Sequence, residues 1–546
     1  MLDRETIDGL FPADLPEPAR WEERYPARTL VEGAKVTRFG PSPTGHLHIG
    51  GVYTAMLDKD LAVHSGGTYL VRVEDTDQAR EVEGAKDQFG RAFAYFGIEP
   101  LEDETTGNYG PYLQSERSTI YQTYVRHLLR EDLAYLDFAT RDELAEITAA
   151  QQARKVPTGY YGRWATWRDA SAEDVTAALA EGRPYVVRFR SPGRAGRRIE
   201  YIDAVRGRIE MEDNYNDVVI LKSSALPLPL PTYHFAHAVD DHLMRINLVL
   251  RAEEWISSVA VHLQLFRALG FEPIEYAHIA QLLKREGSSK RKLSKRKDPE
   301  ASVDFYVESG YPAPAVLFYL RGLANARLAE MPLADALAAP IRVAELSSSG
   351  ALVDLTKLDD ICADYVADMS GEEILEAVRT WALTHDAELA AVLGQDRDVA
   401  LRALAIERGP DVANPRKDLK KWADFRAVYG YFFTAFFQPA VDVAATIVDA
   451  TTSSTLLTDL AETYQEIADG QEWFQQLRDL AGRHGFAQSP KEFKAEPDKY
   501  RGSIREVAQV VRVALTGSTR SPDLHAVAIA LGRDEVIRRL SALADG

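Results

Sequence analysis

Cysteine is almost absent. Cys362 stands alone in 546 residues, which excludes an internal disulfide and a cysteine-based zinc site, fits a reducing compartment, and reads as a small buried side chain. Long hydrophobic runs are missing too, none approaching the roughly 20 residues needed to cross a bilayer. The start, MLDRETIDGLFPADLPEPARWEERYPAR, lacks the uninterrupted apolar core of a secretory signal. A soluble, cytoplasmic protein with no membrane partner is expected. Positive charge is in deficit: 64 lysines and arginines face 83 acidic residues, for a formal net charge of -19. That balance excludes indiscriminate coating of nucleic acid by the whole surface, so any polyanion must be met locally. Internal repeats and low-complexity tracts are absent.

What is present is ordinary globular composition, 46% apolar, in a chain long enough for about three to five domains. After an N-terminal extension (1–34), AKVTRFGPSPTGHLHIGGVYTAMLDKDLAVHSGG reads as strand, proline-stiffened loop, helix and Gly-Gly turn, and TYLVRVEDTD follows as a strand. Strand, helix and strand in that order predict a parallel α/β unit of the nucleotide-binding kind, with the acidic end of the second strand where such sheets place ligands. The expected domains are a first half of this sheet (35–135), an inserted α+β domain (136–230) and a second half (231–283). A helical stem-contact domain with its basic loop (284–369) and an all-α region (370–546) complete the chain. The alternating YVVRFR and YIDAVRGRIEME are placed inside the insertion. A helix over WISSVAVHLQLFRALG closes at Gly270. Ser370 and Glu373 predict a capping box, and Ser521 with Pro522 opens a late helix stopped by Gly532.

Two stretches carry chemistry. In PSPTGHLHIGG, Pro41 and Pro43 restrict the loop, Gly45 permits an unusual backbone angle, and a helix begins near His48. Free amides at such a helix start receive phosphate, Gly50 and Gly51 let a ligand approach, and His46 and His48 add donors. Alone, this pattern is as often a tight connection as a phosphate site. The second stretch, SSKRKLSKRKDP, concentrates Lys290, Arg291, Lys292, Lys295, Arg296 and Lys297 in an acidic chain.

Together, RFGPSPTGHLHIGG and KLSKR resemble the paired HIGH and KMSKS signatures of class I aminoacyl-tRNA synthetases, and within them the glutamyl-tRNA synthetase family. The resemblance runs through VEDTD, GPYLQSER, DAVRGRIE, PTYHFAHAVDDHLM and LRAEEW to RVALTG and PDLHAVAIALG. It implies a Rossmann-type catalytic domain, an inserted acceptor-binding domain and a helical anticodon-binding region. It also implies ATP-dependent ligation of L-glutamate to the terminal ribose of tRNA(Glu) through glutamyl-adenylate. ATP and its accompanying Mg2+ are the implied cofactors, without zinc, and a monomer is expected.

By the same resemblance, His48, Lys292 and Lys295 are catalytic, the lysines gripping the leaving pyrophosphate. Pro41, Thr44, His46, Gly50, Gly51, Leu293 and Ser294 complete the ATP site, with Leu293 in place of the usual methionine. Arg38 and Arg251 supply cations to glutamate, Ser42 and Tyr233 hydrogen-bond it, Glu74 takes its ammonium, and Arg251 answers its side-chain carboxylate. His237 stands where many members carry asparagine, and Tyr53 where an arginine is common. The tRNA contacts implied are Asp241, Glu254, Arg296, Lys417, Lys420 and Lys421. Arginines beside aromatics in SPGRAGRR and TGYYGRWATW offer stacking faces for a terminal base, or an ordinary core. Asp240, Asp241 and His242 suggest a metal but are read as strand neighbours facing opposite ways, so no metal site is expected. Asp241 is then a structural residue or a tRNA-end contact.

Four other readings remain open: an enzyme that also charges tRNA(Gln), a shorter paralogue that glutamylates a modified tRNA base, a small-molecule nucleotidyltransferase, and a non-catalytic descendant. The long helical C-terminus counts against the paralogue and the nucleotidyltransferase, and intact His48, Lys292 and Lys295 count against the last.

Overall fold

Short runs rich in β-branched, aliphatic and aromatic residues supply the buried strands, and polar runs such as SKRK the exposed ones. In chain order they are β1 (Val36–Phe39), β2 (Thr68–Val71), β3 (Ala134–Asp137), β4 (Val186–Phe189), β5 (Arg198–Asp203) and β6 (Gly207–Glu212). Then follow β7 (Val219–Leu221), β8 (Leu248–Ala252), β9 (Glu275–Ile279), β10 (Leu282–Glu286), β11 (Ser289–Lys292) and β12 (Ala351–Leu352). The computed structural model describes residues 2–409 and 412–545. The chain forms two units, Met1–Phe305 with Leu317–Asp354, and Tyr306–Val316 with Leu355–Gly546.

In the first unit β1 pairs parallel with β2, Arg38 beside Leu70, through the crossover helix α1 (Ile49–His64). Both strands are buried almost throughout, Thr37, Arg38 and Thr68 among them, as expected of a parallel pair covered on both faces. β8 and β9 form a second parallel pair, with Arg251 beside His278. Asn247, just before β8, stitches the pairs together: its amide N–H donates to the Val36 carbonyl, its side-chain oxygen accepts from Val36 N, and its Nδ2 donates to the Ala34 carbonyl. The β5–β6 hairpin, expected inside the insertion, joins β9 through Asp203 beside Tyr276, giving the order β6-β5-β9-β8. A separate antiparallel sheet has the order β3-β4-β7.

Helices α2 (Ser118–Arg130), α3 (Tyr233–Leu243) and α4 (Val259–Ala268) share a core that includes Tyr124, Leu128, Phe235, Val239, Leu265 and Phe266. VDDHLM therefore belongs to a helix, not to a strand. α4 begins at Val259 after a 3-10 turn over Glu253–Ser258, and Gly270 at φ 74° follows its end. The N-terminal extension lies on this core. Trp21 Nε1 donates to Thr123 Oγ1, Arg28 forks onto Glu102, and Glu22 receives Arg245 at 2.7 Å and His242 at 2.8 Å.

The second unit is helical, with a single bridge between Ala487 and Ser503 among its described residues. The Ser370–Glu373 capping box is present at the head of Gly371–His385. The late helix Leu524–Leu531 is capped by Asp523, which accepts from Ala526 N, and it ends at Gly532 (φ 81°). Asp523, one residue beyond Pro522, supplies the side-chain oxygen that a cap requires. Cys362 is buried, and burial pushes its thiol up to about 12. Among the described residues no helix is long and apolar enough to cross a membrane.

Candidate active site

A cleft of about 580 Å³ opens at the carboxyl ends of β1, β8 and β9, lined there by Arg38, Gly40, Arg251 and Ala280. Its other wall holds His48, Gly50 and Gly51 of the α1 terminus, with Lys292, Leu293 and Ser294 of the basic segment. Parallel sheets bind ligands at this end because loops and helix termini converge there.

His48 is the N-cap of α1: its Nδ1 accepts from Gly50 N at 2.9 Å. Burial first, then the charge of Lys295, lowers the imidazole to about 4, against a smaller upward pull from the Leu293 backbone. The ring is neutral at pH 7, and with Nδ1 accepting, its proton sits on Nε2. That Nε2 is buried and, among the described residues, has no partner at hydrogen-bond distance and angle. The expectation for Gly45 is not met. It is outside the left-handed region, and a Cβ there would meet nothing within 4 Å. The close approaches are at Gly40, where a Cβ would lie 2.4 Å from Glu74 Oε1, and at Gly51, where it would lie 2.7 Å from Leu47 Cδ1.

The basic segment is half strand and half turn. β11 pairs antiparallel with β10, placing Lys292 beside Leu283, and Leu293 is buried with its N–H on the Leu282 carbonyl. Asp298 ties the turn: it accepts from Ser294 N at 2.9 Å and takes Arg291 at 2.6 and 2.8 Å. Arg291 above all holds this carboxyl well below the usual range. The segment's far end returns to the helix cap, where Ser302 bridges His48 and Val303 N donates to the Leu47 carbonyl. Lys292 pairs across the cleft with Glu254. Both are about half exposed, so the pair is worth at most about 1 kcal/mol and exchanges cheaply.

The opposite wall rests on a buried ion network. Asp241 receives Arg38 Nε at 3.1 Å and Arg72 at 2.5 Å, and Arg72 also donates to Glu74 at 3.0 Å. Against the upward push of burial, Arg38, Arg72 and His237 hold the Asp241 carboxyl well below its usual range. Burial pushes Glu74 up, while Arg72 and then Arg38 pull it back. Tyr233 heads α3 and packs on Trp255, ring centroids 4.6 Å apart. Arg251, 5% exposed, donates from Nε to His278 Nε2 at 3.0 Å and from Nη2 to the Trp255 carbonyl at 3.4 Å, and its Nη1 lies 3.3 Å from His262 Nδ1.

Several expected site residues sit elsewhere. Asp241 is fully buried beneath the cleft, so it is a structural anchor and cannot touch tRNA. His237 is also fully buried, with Nδ1 2.8 Å from Asp241 and Nε2 2.9 Å from the Tyr276 hydroxyl. Both ring nitrogens face protein groups, so it underlies Tyr233 instead of binding substrate. Asp240 turns to Arg117 and His242 to Glu22, as helix neighbours facing different partners. Ser42, Thr44 and His46 are exposed and outside the lining, while buried Pro41 accepts from Glu74 N at 2.8 Å. Tyr53 lines the cleft. Arg296 is exposed. In the second unit, Lys417 pairs with Asp364 at 2.7 Å, Lys420 with Asp359 at 3.6 Å and Lys421 with Asp424 at 3.9 Å.

Sequence reasoning missed Gly40, Asp203, His262, His278 and Asp298. Only Asp298 had a local signal, as the lone acid closing a basic run.

Residues 35–360 match the family described as tRNA synthetases class I (E and Q), catalytic domain, and residues 491–544 match an anticodon binding domain. The chain is 41% identical to a glutamate–tRNA ligase of Clostridium beijerinckii, covering 95% of each chain. It is 39% identical to one of Acetivibrio thermocellus, covering 99% of each. A crystal structure of a glutamate tRNA ligase from Elizabethkingia meningosepticum in complex with its amino acid superposes with a TM-score of 0.75 at 28% identity, covering 94% of this chain and 99% of that one.

Proposed function

Because this chain belongs to the class I tRNA synthetases of the glutamate and glutamine type, we propose that its cleft ligates L-glutamate to the terminal ribose of tRNA(Glu) at the expense of ATP. The observation that carries the reading is the shared lining: the His48 helix cap, the Lys292–Ser294 segment and the wall of Arg38, Glu74 and Arg251 face one cavity.

The α-carboxylate of glutamate attacks the α-phosphorus of ATP, and charge grows on the departing pyrophosphate. Preorganised donors stabilise that charge better than water does, because they need no reorientation as it forms. His48 Nε2–H is such a donor, while the Gly50 amide is spent on His48 Nδ1 and the Gly51 amide on the His48 carbonyl. Lys292 swings from Glu254 to the phosphates, and Lys295, whose charge already acts on His48, joins it. Mg2+ travels with ATP as a phosphate counterion, and no zinc enters this reading. Arg251 faces the side-chain carboxylate, Glu74 the ammonium, and Tyr233 and Arg38 border the substrate. The terminal ribose hydroxyl then attacks glutamyl-adenylate and AMP leaves. Glu254 at the cleft mouth, exposed Arg296 and the Lys417, Lys420 and Lys421 cluster are the proposed tRNA contacts. The reaction is placed in the cytoplasm, on a monomer.

Aminoacylation with each amino acid against total tRNA, followed by sequencing of the charged species, tests this. Glutamate on tRNA(Glu) is expected. Failure to attach glutamate would overturn the reading, and glutamate on tRNA(Gln) as well would mark a non-discriminating enzyme.

A further inference from the structure

Arg38 and Arg251 both line the cleft, yet their charges are handled in opposite ways. Arg38 is answered by Asp241 at 3.1 Å. Arg251 is just as buried, but its acceptors are two imidazoles and the Trp255 carbonyl, and its guanidinium lies 4.6 Å from the Tyr276 ring centroid. None of these acceptors is a carboxylate.

Each imidazole is ordered by a group behind it. Asp203 Oδ2 lies 2.5 Å from His278 Nδ1, and the same carboxylate accepts the His278 backbone N–H. A neutral ring so held carries its proton on Nδ1 and turns the Nε2 lone pair to Arg251. His262 follows the same logic: its Nε2 lies 2.9 Å from His234 Nδ1, leaving Nδ1 toward Arg251. Burial lowers both His262 and His278 below the usual imidazole range, which keeps the shell uncharged.

Resting on the assignment of Arg251 to the substrate's side-chain carboxylate, we propose that His278, oriented by Asp203, and His262, oriented by His234, are positioning residues that fix Arg251 through neutral acceptors and so reserve its charge for the substrate. An acid in either place would neutralise Arg251 internally, as Asp241 does Arg38, and glutamate would then enter against a carboxylate. A reversed tautomer would set two donors face to face.

The test is aminoacylation by the full chain with tRNA present, comparing His278→Glu and His278→Gln with the parent. His278→Glu is expected to raise the KM for glutamate by ~100-fold, to narrow the preference for glutamate over glutamine by ~10-fold, and to move the KM for ATP by less than ~2-fold. His278→Gln can accept from Arg251 and donate to Asp203, and should return the glutamate KM to within ~5-fold of the parent. Because His278→Glu sets a second acid beside Asp203 and risks misfolding, 15N NMR of the imidazoles in the parent supplies an independent readout. A proton on His278 Nδ1 is expected, and one on Nε2 overturns the proposal. A parent that charges glutamate while His278→Glu keeps the same KM sinks this proposal alone. A parent that charges no glutamate sinks the site assignment and this proposal with it.

Discussion

An arginine buried among neutral acceptors is expensive to keep. Desolvating a cation without a counterion costs several kcal/mol, and Arg251 carries that cost in the free protein. Arg251→Met should therefore raise the thermal midpoint while lifting the KM for glutamate by ~100-fold or more. Calorimetry and kinetics on one sample check both directions, and loss of stability together with affinity would make Arg251 a packing residue. His48 separates two roles within one ring. In His48→Asn the amide oxygen still caps Gly50 N, but nothing replaces Nε2–H. Stability should shift by less than about 1 kcal/mol while kcat falls ~100-fold, measurable by denaturant titration beside turnover. These two residues were legible because their motifs are contiguous. The ring that orders Arg251 was not, since Asp203 and His278 stand 75 positions apart and meet only once β5 pairs with β9.

At the scale of elements, some local signals read true and the non-local ones did not. The Ser370–Glu373 box spans three residues, so sequence alone reveals it. VDDHLM was read with strand periodicity, but Asp240 and Asp241 are paid for by Arg117, Arg72 and Arg38, partners from other elements that no window of sequence contains. The pairing of β5 with β9 through Asp203 and Tyr276 is equally remote in sequence. Asp298 gathers Arg291, Lys284 and Ser294 N around one carboxylate, and it governs the basic turn. Asp298→Asn should speed amide exchange across residues 289–298 and raise the KM for ATP by ~10-fold, leaving exchange in α1 unchanged. Equal exchange in the turn would show that Asp298 does not hold it. Removing the charges of Lys417, Lys420 and Lys421 together should raise the KM for tRNA and flatten its salt dependence, with the KM for ATP unmoved. An unchanged tRNA KM would exclude the cluster as a contact.

For the whole molecule, imidazoles set the acid limit. His48, His234 and His237 titrate near 4 when folded, and His242, His262 and His278 are lowered too, chiefly by burial. An unfolded chain takes up these protons as pH falls through about 6.5. Between about 6.5 and 4 it therefore binds more protons than the folded chain, and stability falls with pH by up to about 1.4 kcal/mol per histidine per unit. Asp58 and Glu74, raised by burial, act in the opposite sense but are fewer. Thermal midpoints should drop steadily from pH 7 to pH 5; a flat profile would mean the imidazoles titrate as they do in the unfolded chain, and a rising one that they are already charged at neutrality.

The opening segment's fastenings have a consequence in time. Trp21 reaches Thr123, Arg28 reaches Glu102 and Glu22 reaches Arg245, spans of 102, 74 and 223 residues. During synthesis Arg28 waits for Glu102, Trp21 for Thr123 of α2, and Glu22 for Arg245. Residues 21–28 are thus fully seated only once Arg245 has been made, and a bulky group attached beside them would slow maturation more than it would disturb the folded protein.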